Sequence, residues 1–182
     1  YESPYPWTDP LEDIDQKILV PFEEASIQAA IELADEGDTV LVDPGTYYEN
    51  INFLGKAITV ASHFILDGKE RHISRTIING ERASNPDSAS TVILCSGEDS
   101  TSVLMGFTIA GGKGSKHTIT WDGKCLTELS GGGIDIINSG ALITNNIIEE
   151  NTLGPGANFE DVYGGGLIAL VNNNHSLIVR QN

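Results

Sequence analysis

The residues best equipped for chemistry lie in one run, GGKGSKHTITWDGKCLTELS (111–130), which holds Lys113, Lys116, His117, Trp121, Asp122 and Lys124. An indole face suits the apolar face of a sugar ring. Lysines and an imidazole suit carboxylates or hydroxyls. Trp121, His117, Lys116 and Asp122 are therefore candidate ligand contacts, and Asp135, on the next strand, is expected to face outward beside them. The competing role for Trp121 is to pack the run onto the body, with the lysines solvated. A second group, Glu149, Glu150, Glu160 and Asp161, is acidic, and oxygen ligands of this kind suit calcium. The competing reading is a scatter of surface acids. Glu149 and Asp135 also make a carboxylate pair of the type used in glycoside hydrolysis, which depends on a separation that sequence does not give. His63, His72, His117 and His175 show no metal-ligand spacing. The chain has no nucleophile elbow and no phosphate loop.

These residues must be held in place, and the chain supplies the means by repetition. GGGIDIINSGALITNNIIEEN (131–151) is followed by GGGLIALVNNNHSLIVRQN (164–182), and a weaker copy, STVILCSGEDSTSVLMGFTIAGG, stands at 90–112. In this alignment Leu104, Ile143 and Ile178 share a position, as do Ile109 and Ile148, and Phe107 and Asn146. Self-similarity at such a period means stacked units. Each copy contains short β-branched strands of period two, with Ile134 and Ile136 pointing one way and Asp135 the other. One such strand buries nothing alone, whereas copies stacked ~4.8 Å apart form a parallel sheet with one face inside. Parallel neighbours ordinarily need a helical crossover, and no helix-period segment separates these copies. The expected fold is all-β, a parallel β-helix in which each coil lays two or three strands on as many sheets. The alternative, an antiparallel sandwich with Gly and Asn turns, does not explain why the copies run in the same direction. The glycine triplets open strands and read as places of close backbone packing.

Residues 22–36 carry the one helical stripe, Ile27, Ala30, Ile31 and Ala34, with Ser26 as cap and Gly37 as terminator. This helix is expected to plug the first coil. Residues 1–21, with Trp7, read as an extended leader, and 22–182 as a single domain. The chain starts at Tyr1 and stops inside a repeat, so a fragment or processed form of a longer protein is expected. Beyond the helix, Tyr48, Asn50 and Asn52 alternate with Tyr47, Glu49, Ile51 and Phe53. Three insertions, at 80–90, 111–130 and 151–163, precede successive strands at the same place in the repeat. They are expected to stack as a wall on one side, and loops on a rigid scaffold are where function usually sits. Ile168 takes the position of Asp135 in the next coil, and Leu170 lies under Ile137. Such outward apolar side chains imply that the wall or a partner covers this face.

The run from SIQAAIELADEGDTVLVDPGTYYENINFLGKAITVAS (26–62) through TIINGE (76–81) to the GGG copies resembles the secreted bacterial right-handed parallel β-helix repeat proteins, the pectin-lyase-like superfamily. The resemblance covers residues 26–182. It implies a right-handed coil and an extracellular or cell-surface setting. The activities it implies range from polysaccharide lyases, esterases and epimerases to adhesins and repeat modules. PGTYYENI (44–51) resembles an early coil of the pectin esterases, with Tyr47 and Glu49 at a shared Tyr and Glu, but the catalytic aspartates of those enzymes have no counterpart here. Pectate lyases require clustered aspartates for calcium and an arginine base, and this chain offers only Arg180 in a late coil. No catalytic residue is carried over.

A net charge of -16 and a pI near 4.3 argue against nucleic acid and against an anionic membrane surface. Half of the 26 acidic residues fall in the first 50 positions, so a polyanionic ligand needs bridging cations or a local basic patch. No segment is apolar and long enough to insert in a membrane. Cys95 and Cys125 are read either as a bridge pinning the 111–130 insertion or as buried thiols. The expected function is an extracellular module that recognises polysaccharide or a cell-surface glycan along the exposed sheet, possessing no complete catalytic site, with further domains in a longer chain. The alternatives are a lyase or hydrolase whose active site lies in other coils, and an adhesive stalk that binds protein.

Overall fold

Short runs of Ile, Val, Leu and Thr form most of the strands, as β-branched residues favour a pleated, half-buried surface. The computed structural model describes residues 16–121, 124–153, 161–163, 165–170 and 175–180, the side chains of 119–121, 124–126 and 161–163 excepted. The chain opens with β1 (Lys17–Val20) and α1 (Ile27–Leu33). It then runs through β2 (Thr39–Val42), β3 (Gly45–Tyr47) and β4 (Ile51–Asn52). A second pass comprises β5 (Thr59–Ser62), α2 (Phe64–Asp67), a 3-10 turn (Glu70–Arg75), β6 (Thr76–Asn79), β7 (Ser88–Ala89) and β8 (Val92–Leu94). The third comprises β9 (Val103–Met105), β10 (Thr108–Ala110), β11 (Gly114–Trp121), β12 (Lys124–Ser130) and β13 (Ile134–Ile137). The last comprises β14 (Ala141–Thr144), β15 (Ile147–Ile148), β16 (Asp161–Tyr163), β17 (Leu167–Leu170) and β18 (Leu177–Arg180).

Each pass visits the same sheets in the same order. β1, β2, β5, β9, β14 and β18 form a first sheet, β3, β6, β10 and β15 a second, and β4, β8, β13 and β17 a third. Every pairing within these three is parallel. Among the described residues the protein is thus mostly strand, in parallel sheets, with few helices. The core lies between the sheets and consists of rows of like residues. Ile18, Val40, Val60, Leu104, Ile143 and Val179 stand in register on the first sheet. Ile51, Val92, Ile134 and Leu167 do so on the third. Their middle members are fully buried, and burying one such side chain contributes roughly 1.5–3 kcal/mol.

The register corrects one sequence alignment. Ile143 faces Val179, and Ile178 faces Leu142, so Val179 rather than Ile178 continues the inward row. A one-residue slip moves a side chain to the other face. The helix is also shorter than the 22–36 stripe. Ser26 is its N-cap and accepts from the Ala29 N–H at 3.1 Å, so nothing before it is helical. At the other end Lys56 Nζ donates to the carbonyls of Ile31, Glu32 and Ala34 at 2.7–2.8 Å and closes the helix before Gly37. The stripe itself holds: Ile27, Ala30, Ile31 and Ala34 are all buried against the core. Of the leader, residues 17–20 are the edge strand β1, and 1–15, with Trp7, lie outside the described residues. Asn146 ties successive passes, its Oδ1 accepting from the Phe107 N–H and its Nδ2 donating to the Leu104 carbonyl, both at 3.0 Å.

Candidate functional site

Between the second and third sheets, each later pass inserts an extra strand or hairpin. β7, β11, β12 and β16 join as a four-stranded mixed sheet, a wall built from all three insertions. The adjoining outer row of the third sheet is Asn52, Ile93, Asp135 and Ile168. Asp135 points away from the core, yet it is completely buried because the wall covers it. Its Oδ2 lies 2.5 Å from His117 Nε2, and its Oδ1 accepts from Ser130 Oγ at 3.3 Å. Period two explains the convergence. Ser115 and His117 share one face of β11, and Ser130 and Glu128 stand opposite them on β12. Ser115 Oγ in turn meets Ser90 Oγ at 2.7 Å. The underside of the wall is thus polar where it covers a carboxylate, and a buried charge requires such partners.

Two of the five sequence-predicted ligand contacts, His117 and Asp135, are therefore brought together, with Asp135 holding His117 from beneath the wall. Lys116 reaches Asp87, with Nζ 2.5 Å from Oδ1. Trp121 ends β11 opposite Lys124; its side chain and Asp122 lie outside the described residues. Of the acidic group, Glu149 and Glu150 are exposed after β15, Asp161 stands in register with Glu128, and Glu160 and the Asp161 side chain lie outside the description. Among the described residues no three His, Cys, Asp or Glu side chains come together to hold an ion. Cys95 stands just past β8 as a free, exposed thiol, not the bridge or buried thiol expected. Partial burial of its sulfur pushes the thiol pKa up, and the charges of Glu98 and Asp135 add to this.

The same outer face opens at its β4 end into a cleft of about 450 Å³. Tyr48, Asn50 and Asn52, Arg82 and Asn85 of the 80–90 insertion, and Gln28 of α1 line it. The guanidinium carbon of Arg82 sits 3.7 Å from the centre of the Tyr48 ring. Stacking uses the guanidinium face and leaves its in-plane donors at the edge. Glu49 borders this cleft but is engaged, its two oxygens accepting from the N–H groups of Ile27 and Gln28 at 3.0 and 2.9 Å. Tyr47 donates to the Asp43 carbonyl at 2.9 Å. The Tyr and Glu that resemble an esterase motif therefore brace α1 and its neighbouring loop. Arg82 and Asn85 escaped sequence reasoning; the alternation of Tyr48, Asn50 and Asn52 was the signal for the strand side of the cleft. Compared with known proteins, the chain matches no family model, no curated protein and no solved structure.

Proposed function

We propose that this chain is a right-handed parallel β-helix module of the extracellular space or cell surface that recognises polysaccharide in the cleft at the β4 end of its third sheet and along the wall. The repeated order of three parallel sheets supports the coil, with α1 as its plug. The observation that carries the function is the cleft, where an exposed aromatic ring, a stacked guanidinium and side-chain amides converge. Sugar hydroxyls both donate and accept; with Gln28, Asn50 Nδ2 and the Oδ1 atoms of Asn52 and Asn85 engaged within the protein, Asn50 Oδ1, Asn85 Nδ2 and the Arg82 donors are the groups offered to them. A glycan held beside Tyr48 would extend along the outer side of the wall towards Trp121, because the wall buries Ile93 and Asp135 beneath it. The test is retention of the protein on a panel of plant, algal and bacterial polysaccharides, with calcium and with chelator, while chain cleavage is followed. Retention that falls at least tenfold in Tyr48→Ala and in Trp121→Ala supports the reading. Retention unchanged in both variants, or no retention on any glycan, overturns it. New unsaturated ends would make the protein a lyase, and capture of a protein partner alone would make it a stalk.

A further inference from the structure

We propose that His63 and His72 jointly bind one divalent transition-metal ion, of the zinc, copper or nickel type, each through Nδ1. This inference is independent of the glycan reading. His63 follows β5 and His72 lies in the 3-10 turn Glu70–Arg75, and their ring centroids are 5.9 Å apart with planes inclined at 49°. Each ring is backed by a carboxylate on the same nitrogen. His63 Nε2 lies 2.8 Å from Asp43 Oδ1, and His72 Nε2 lies 3.1 Å from Asp67 Oδ1. A carboxylate beside Nε2 keeps the ring proton there and leaves the lone pair on Nδ1, which is how metal-ligating histidines are oriented. His72 Nδ1 is buried and has no hydrogen-bond partner. A buried lone pair of this kind calls for a ligand, and a cation satisfies it.

The spacing suits a shared ion. With metal–nitrogen distances of about 2.0–2.1 Å, two imidazoles on a tetrahedral ion have centroids about 5 Å apart. Imidazole nitrogen selects zinc, copper or nickel over calcium, which takes oxygen. Lys69 and Arg71 are the nearby cations, and both are held by Asp67 Oδ2, at 2.9 and 3.1 Å. No third His, Cys, Asp or Glu among the described residues completes the shell, so water supplies the rest from the side of His63, the more exposed of the two rings. The bound ion would clip the 3-10 turn to the end of β5 and stabilise the fold through binding linkage.

The test titrates zinc chloride into the intact protein by calorimetry and follows the imidazole nitrogens by NMR. One equivalent should shift Nδ1 of His63 and His72 together and raise Tm. His63→Ala and His72→Ala should each weaken binding at least tenfold, and Asp43→Asn should weaken it about tenfold. Zinc that leaves both Nδ1 atoms unshifted, moves His117 or His175 instead, or binds the double alanine variant unchanged overturns the proposal. If an alanine variant fails to fold, the nitrogen shifts of the unaltered protein decide.

Discussion

His117 and Asp135 meet at 2.5 Å across the seam between the wall and the third sheet, one residue from each side. Asp135 stands between Ile93 and Ile168 in its row, so it is a carboxylate with an apolar neighbour on either side. Asp135→Ala should lower stability by about 2 kcal/mol, because it leaves His117 and Ser130 without their buried partner. The double variant Asp135→Leu with His117→Leu should recover most of that loss, since an apolar pair avoids the cost of desolvating the charge. Urea denaturation of the three proteins measures both.

Both ends of α1 are held by side chains from the connections between the next strands, Glu49 at the N-terminus and Lys56 at the C-terminus. Negative charge at the first turn and positive charge at the last also oppose the helix dipole. Glu49→Ala should cost about 1–2 kcal/mol, as loss of an N-cap does. Hydrogen exchange at the Ile27 and Gln28 amides should quicken in Glu49→Ala and stay slow in Lys56→Met. Equal effects of both variants on those amides would contradict the assignment.

Gly132 allows successive passes to approach through their backbones. A Cβ there would run into the Gly165 carbonyl oxygen, and one on Gly112 into that of Gly132. Gly132→Ala should destabilise by about 1–3 kcal/mol through overpacking. Gly37→Ala meets open space and only the cost of a φ of +92°. Thermal melts should therefore rank Gly132→Ala below Gly37→Ala.

Burial pushes the Tyr47 phenol up to about 12, and the charges of Asp43 and Glu49 add to the shift. Of the five tyrosines, Tyr47 should ionise late in an ultraviolet titration, and Tyr47→Phe should remove that step. Its folded pKa exceeds its unfolded one, so its contribution to stability is complete below pH 10 and is lost as pH rises towards 12. An ordinary midpoint near 10 for all the tyrosines would refute this.

Some of this architecture was legible in the chain because alternation is strict where one face is buried. Ile134, Asp135 and Ile136 declare their directions without ambiguity. Ile178 misled for the converse reason: Leu177, Ile178 and Val179 are consecutive apolar residues, so parity gives no cue. The in-register insertions announced the wall, since they recur at one place in the repeat. Ile168 and Leu170 announced that the wall or a partner covers this face, but the pairing of Asp135 with His117 did not show, because a hairpin that folds back over a sheet leaves no periodic mark there. Nor did the pairings of Tyr48 with Arg82 and of His63 with His72. Each depends on which strand lies alongside which, and spacing along the chain carries no trace of that.

The wall strands bond to one another, and only the segments between the second and third sheets contribute them. The division of labour has an evolutionary and an engineering consequence. The 111–130 segment behaves as a cassette, exchangeable for another sequence of different length so long as an Asp135 partner is kept or Asp135 is made apolar. Doubling a flexible loop adds only about 0.6 kcal/mol of closure cost, so a scaffold of this kind accommodates insertions of different length at this one place in the repeat.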